Sequence, residues 1–176
     1  MDDAVPFASH IWFQTLGVLL FARGMDFLST WVATPDLRFE GNPIAKFMGW
    51  KWGTLFNLAI CIGCAFWPLP ALIISTCSVL VAARNFQQAW AMRPMGGENY
   101  CDWFVERLRR TGFKLFFVCL IAEVLLTALV GTAVICFTHN PSLQAIGTGI
   151  IGYASAVLIF TLLALWRMRR AWRKGF

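Results

Sequence analysis

Four ionisable side chains stand inside otherwise apolar runs of this 176-residue chain: Arg23, Asp26, Arg84 and Glu123. Each costs at least ~2.5–3.5 kcal/mol to place in hydrocarbon, so such residues mark either paired structural charges or a substrate, ion or proton site. At 1.5 Å of rise per helical residue, Asp26 lies about 9 Å, Arg84 about 10 Å, Arg23 about 13 Å and Glu123 about 15 Å from the cytoplasmic end of its helix. Asn57 and Asn85 fall at similar depth, and Thr30 stands one turn from Asp26 on the same helical face. The expectation is one intramembrane polar cluster, open toward the cytoplasm, formed by Arg23, Asp26, Thr30, Asn57, Arg84, Asn85 and Glu123. Two acids and two bases can neutralise one another. Arg23 is the expected partner of Asp26, because a spacing of three residues puts both side chains on one face.

The elements that carry these residues follow from composition. The chain is 59% hydrophobic and 14% charged, with nine Trp and sixteen Phe. A water-soluble domain of this length could not bury that much apolar surface, whereas runs long enough to cross roughly 30 Å of hydrocarbon recur along it. The expected fold is all-α: a single polytopic transmembrane helix bundle of five helices, with spans at about 11–32, 52–67, 71–92, 113–138 and 143–166. Ser9 is the cap expected for the first span and Thr34-Pro35 its end. Pro68-Leu69-Pro70 cannot lie mid-helix without losing backbone hydrogen bonds, so it divides the second span from the third. If the 52–67 helix falls short of the bilayer thickness, the pair becomes a re-entrant hairpin. Between 99 and 110, Tyr100, Trp103, Phe104 and Leu108 recur opposite Asp102, Glu106 and Arg110, the pattern of an amphipathic helix lying in the headgroup region.

Lys and Arg cluster in the two connectors around 36–51 and 93–114 and in the tail after Trp166, and are absent from the alternate segments. The positive-inside rule therefore puts the N-terminus outside and the C-terminus in the cytoplasm, as expected of a multi-pass protein of the plasma (inner) membrane. Met1-Asp2-Asp3 is acidic where a cleavable signal peptide would be basic, so the first helix is expected to stay. The net charge of +6 sits at helix ends, fitting anionic lipid headgroups rather than nucleic acid.

The first connector carries a second pattern. Asp26 and Thr30, followed by Glu40-Gly41-Asn42-Pro43, make D-x-x-x-T … E-x-N-P. This resembles a family of small prokaryotic integral membrane proteins of no assigned activity, over roughly the first two helices. The resemblance implies Asp26, Thr30, Glu40 and Asn42 as residues to test. Read from the residues alone, Asn42-Pro43 is a cap and first turn for a short helix that ends near Gly49, with Trp50 and Trp52 at the interface.

Of the six cysteines, Cys61 and Cys64 form a C-x-x-C in the outer half. Membrane thiol oxidases resemble this in size and motif, but they relay through outer-loop cysteines and the outer segments here hold none, so Cys61 and Cys64 read as small packing residues. His10 and His139 lie near the outer ends of their helices with no further ligands beside them, and no cofactor or metal is expected. Small residues on the last three long helices, Ser75, Ser78 and Ala82, Thr127 and Gly131, and Gly149, Gly152 and Ala156, read as faces for close helix approach, within the bundle or against another membrane protein. Three functional classes remain open: a non-enzymatic helical subunit or assembly partner, a small ion- or proton-coupled transporter using Asp26 and Glu123, and an intramembrane enzyme or thiol redox protein.

Overall fold

The computed structural model describes residues 4–35 and 43–173. Six helices and no strand occur among them: α1 (His10–Ala33), α2 (Pro43–Cys64), α3 (Pro68–Met95), α4 (Gly97–Thr111), α5 (Phe113–Phe137) and α6 (Pro141–Arg173). Four of these, α1, α3, α5 and the Pro141–Trp166 part of α6, are long and apolar enough to cross a membrane. Their lipid-type side chains face outward: Phe21, Leu125, Leu126 and Leu129 are all exposed. A water-soluble chain would bury these residues, so they mark a helical membrane protein.

Local chemistry sets the helix ends. Ser9 accepts a hydrogen bond from the Trp12 N–H at 3.2 Å and caps α1. At its other end the Thr34 N–H returns to the Thr30 carbonyl and Pro35 follows. Arg93 of α3 also donates to the Val32 carbonyl at 3.1 Å, a cation at a helix C-terminus where the dipole favours one. Pro68 opens α3 in the first turn, where its missing N–H costs nothing. Asn140 caps α6 through the Ser142 N–H at 2.9 Å.

Residues 52–67, expected as a span of their own, are helical only to Cys64, where they form the second arm of a kinked helix. Gly49 adopts φ 64°, a conformation that favours glycine, and breaks α2 into a short N-terminal arm and a longer one from Trp50 to Cys64. The longer arm is about 22 Å at 1.5 Å per residue, short of ~30 Å of hydrocarbon. It still returns alongside α1. Trp50 Nε1 donates to the Pro35 carbonyl at 2.9 Å at one end, and the Val5 N–H donates to the Phe66 carbonyl at 2.9 Å at the other. Trp12, Leu19, Cys61, Ala65 and Ala71 form the buried core where α1, α2 and α3 meet.

The helices stand in the order α2, α1, α3, α6, α5, with α4 bridging α3 and α5 at one end. Glycines set two of the close approaches. A Cβ on Gly131 of α5 would fall 2.7 Å from the Gly147 carbonyl of α6, and one on Gly147 would meet the Gly131 carbonyl at the same distance. Gly149 of α6 lies as close to Thr76 of α3. Gly131 and Gly149 were expected on such faces; Gly152 meets nothing within 4 Å. Within the described residues, α3 and α5 both pack on α6 but not on each other.

Candidate functional site

The polar residues expected as one cluster fall into two groups on different sides of α3. Arg84 and Asn85 are sequence neighbours, so they point about 100° apart around the helix axis. Depth along the sequence put all seven at one level, but the direction in which each faces separates them.

The first group joins α1, α2 and α3. Arg23 donates to the Asn57 Oδ1 through Nε at 2.7 Å and through Nη2, to the Asp26 carboxylate at 3.0 Å and to Ser78 Oγ at 3.1 Å. One guanidinium thus binds groups on three helices, using its planar fork of donors. Asn57 is itself fixed by donating to the Gly53 carbonyl at 2.8 Å. A second tier lies one turn further along α1. Ser29 Oγ donates to the Asp26 carbonyl at 2.8 Å, and Asn85 Nδ2 donates to Ser29 Oγ at 3.3 Å and to Thr30 Oγ1 at 3.4 Å. The Arg23 and Asp26 side chains are only 25% and 19% exposed, and Ser29 and Ser78 are buried. In such surroundings the charge is tolerated because four of the five guanidinium N–H groups find acceptors, one of them a carboxylate.

The second group spans α3 and α5. Arg84 pairs with Glu123 across the gap between two helices that do not otherwise pack. The pair lies at one edge of a cleft of about 630 Å³. Gln87 and Gln88 of α3, Tyr153 of α6, and Tyr100 and Trp103 of α4 line it further. Glu123 is 45% exposed, against 19% for Asp26, so this pair borders open space where the first is enclosed.

Glu40 and Asn42 lie outside the described residues, and Pro43 is the first residue of α2. Cys61 is buried against α1, and the five described cysteines are all free thiols. His10 begins α1, and among the described residues no three of His, Cys, Asp and Glu gather as metal ligands would.

Sequence reasoning missed Ser29, Gln87, Gln88 and Tyr153, and read Ser78 as packing alone. The glutamines carried a signal: they follow Arg84 by three and four residues and therefore extend its stripe on α3. Ser29 and Tyr153 carried none, because what brings Ser29 to Asn85 and Tyr153 into the cleft is the approach of another helix. No family model matches this chain, and no curated protein or solved structure does either.

Proposed function

We propose that this is a five-pass protein of the inner membrane, N-terminus outside and C-terminus in the cytoplasm, acting without catalysis as a helical subunit or assembly partner. In this reading Arg23 and Asp26 hold the bundle together. The observation that carries it is the coordination of Arg23 by Asp26, Asn57 and Ser78 on three helices at once, a structural use of a charge. A fifth pass is supported by the two ends of the returning segment, tied beside α1 through Trp50 and Pro35 and again through Phe66 and Val5, so that Ala65 to Trp67 complete what the short helical arm of α2 does not reach. Anionic headgroups are the proposed partners of the basic connectors. The D-x-x-x-T … E-x-N-P resemblance fits a role for Asp26 and Thr30 in fixing the end of α1 next to the connector.

The alternative reading, a small carrier that couples through Asp26 and Glu123, has less support than the structural one. Here each faces an arginine of its own, on a different side of α3.

A double-mutant cycle tests the reading. Asp26→Asn leaves the Arg23 cation without its counter-charge and should cost about 3–5 kcal/mol of stability. Arg23→Gln combined with Asp26→Asn should recover much of that loss, read as thermal unfolding in detergent. A stable, abundant Asp26→Asn protein, or additive effects in the cycle, defeats the structural reading and favours a working carboxylate.

A further inference from the structure

The cleft between α3 and α5 is built differently from the Arg23 site. Leu80, Ala83, Arg84, Gln87, Gln88 and Ala91 recur at helical spacing and make one continuous wall of it. Glu123 stands opposite, and α4 closes one end with Tyr100 and Trp103. Along α3 this wall runs about 16 Å, from Leu80 past Arg84 to Ala91. The volume lies within the range of roughly 300–1,000 Å³ typical of small-molecule pockets.

The charges in it are under-used. A guanidinium has five N–H donors, yet among the described residues Arg84 bonds to Glu123 and to no other group. At membrane depth unspent donors on a cation and an unspent lone-pair oxygen on a carboxylate favour a polar ligand. The sign of that ligand follows from the pair. An anion taking Arg84 would leave the Glu123 carboxylate beside it without a counter-charge, and a cation taking Glu123 would strand Arg84. A molecule carrying both signs replaces the internal ion pair with two new ones. Tyr100 and Trp103, a ring pair with centroids 5.6 Å apart, bound the cleft where it meets α4. Gln87 and Gln88 supply amide donors and acceptors between them.

We propose that this cleft binds the zwitterionic headgroup of a membrane phospholipid, of the phosphoethanolamine type, with its phosphate on Arg84 and its ammonium on Glu123. A lipid is favoured over a soluble zwitterion because the cleft lies between two spans, α3 and α5, that do not pack on one another and are joined by α4 at one end only. Trp90, 76% exposed, stands at the rim as lipid-facing aromatics do. This inference is independent of the structural role given to Arg23 and Asp26.

The test uses the full chain in detergent, titrated with short-chain phosphatidylethanolamine, short-chain phosphatidylglycerol and free phosphoethanolamine. Thermal shift and native mass spectrometry are the readouts. The phosphatidylethanolamine should bind saturably and at least tenfold more tightly than either other probe. Arg84→Gln with Glu123→Gln keeps shape and neutrality and should weaken it tenfold or more. Gln87→Leu with Gln88→Leu, which leaves the ion pair intact, should weaken it at least threefold and covers the case in which the first variant fails to fold. Equal binding of phosphatidylglycerol, binding of free phosphoethanolamine as tight as the lipid's, absence of saturable binding, or wild-type affinity in the folded variants would each overturn the proposal.

Discussion

Replacing Gly147 by alanine puts a methyl group 2.7 Å from the Gly131 carbonyl oxygen and 2.8 Å from Ile135 Cγ1. Ordinary contact begins near 3.4 Å, so α5 and α6 must part by about 0.7 Å at their crossing. The α6 helix has little room to retreat, since Gly149 holds it equally close to Thr76 and the Ile73 carbonyl of α3. A gap of 0.5–1 Å forfeits roughly a quarter to a half of each dispersion contact along the seam. In a membrane, where helices associate through packing rather than water exclusion, that loss is not made up elsewhere. Overpacking costs about 1–3 kcal/mol, and alanine's better helix propensity returns about 0.8–1. The net expectation for Gly147→Ala, and for Gly131→Ala by the reciprocal contact, is a loss of up to about 2 kcal/mol, centred near about 1. The double substitution should cost scarcely more than either single one, because the separation that admits one methyl admits the other. Gly152→Ala is the control: its Cβ meets nothing within 4 Å and should be neutral or slightly stabilising. Reversible unfolding in mixed micelles, monitored by Trp fluorescence, measures all four variants. Gly147→Ala as stable as Gly152→Ala, or a double mutant with twice the single loss, would refute the close-approach argument.

Further expectations concern topology, thiols and one exposed carboxylate. In a cysteine-free background, Asp3→Cys and Ser142→Cys should react with an impermeant thiol reagent from outside and Glu98→Cys from inside; labelling of position 98 from outside would invert the topology. Cys61→Ala with Cys64→Ala should fold at near-normal abundance, losing about 1 kcal/mol for the buried Cys61 side chain, and a trapped mixed disulfide with another protein would contradict their packing role. Glu106 accepts a hydrogen bond from Arg110 at 2.8 Å, and that bond with the guanidinium charge holds its carboxyl below the ordinary glutamate range. Because the folded value is the lower one, any contribution to stability is present above the ordinary range and fades as pH falls through the folded value. Carbon-detected titration in micelles should show this depression in the native chain and its loss in Arg110→Gln; an unchanged midpoint would remove Arg110 as the cause.

Hydropathy, proline placement and charge asymmetry made the membrane class, the helix ends at Ser9, Thr34 and Pro68, and the break near Gly49 legible in the sequence. These features depend on contacts within a few residues or on transfer from water to lipid, which each segment expresses by itself. The pairing of Arg23 with Asp26 was legible for the same reason, being three residues apart on one helix. Tertiary structure alone decided which charges share a site. Depth is a one-dimensional quantity and brought Arg84 and Glu123 level with Asp26, whereas the direction in which each side chain leaves its helix put them on another side of α3. The cleft itself had no sequence signature as a whole. It exists because α3 and α5 each pack on α6 and not on one another, a relation among three helices that no single helix encodes.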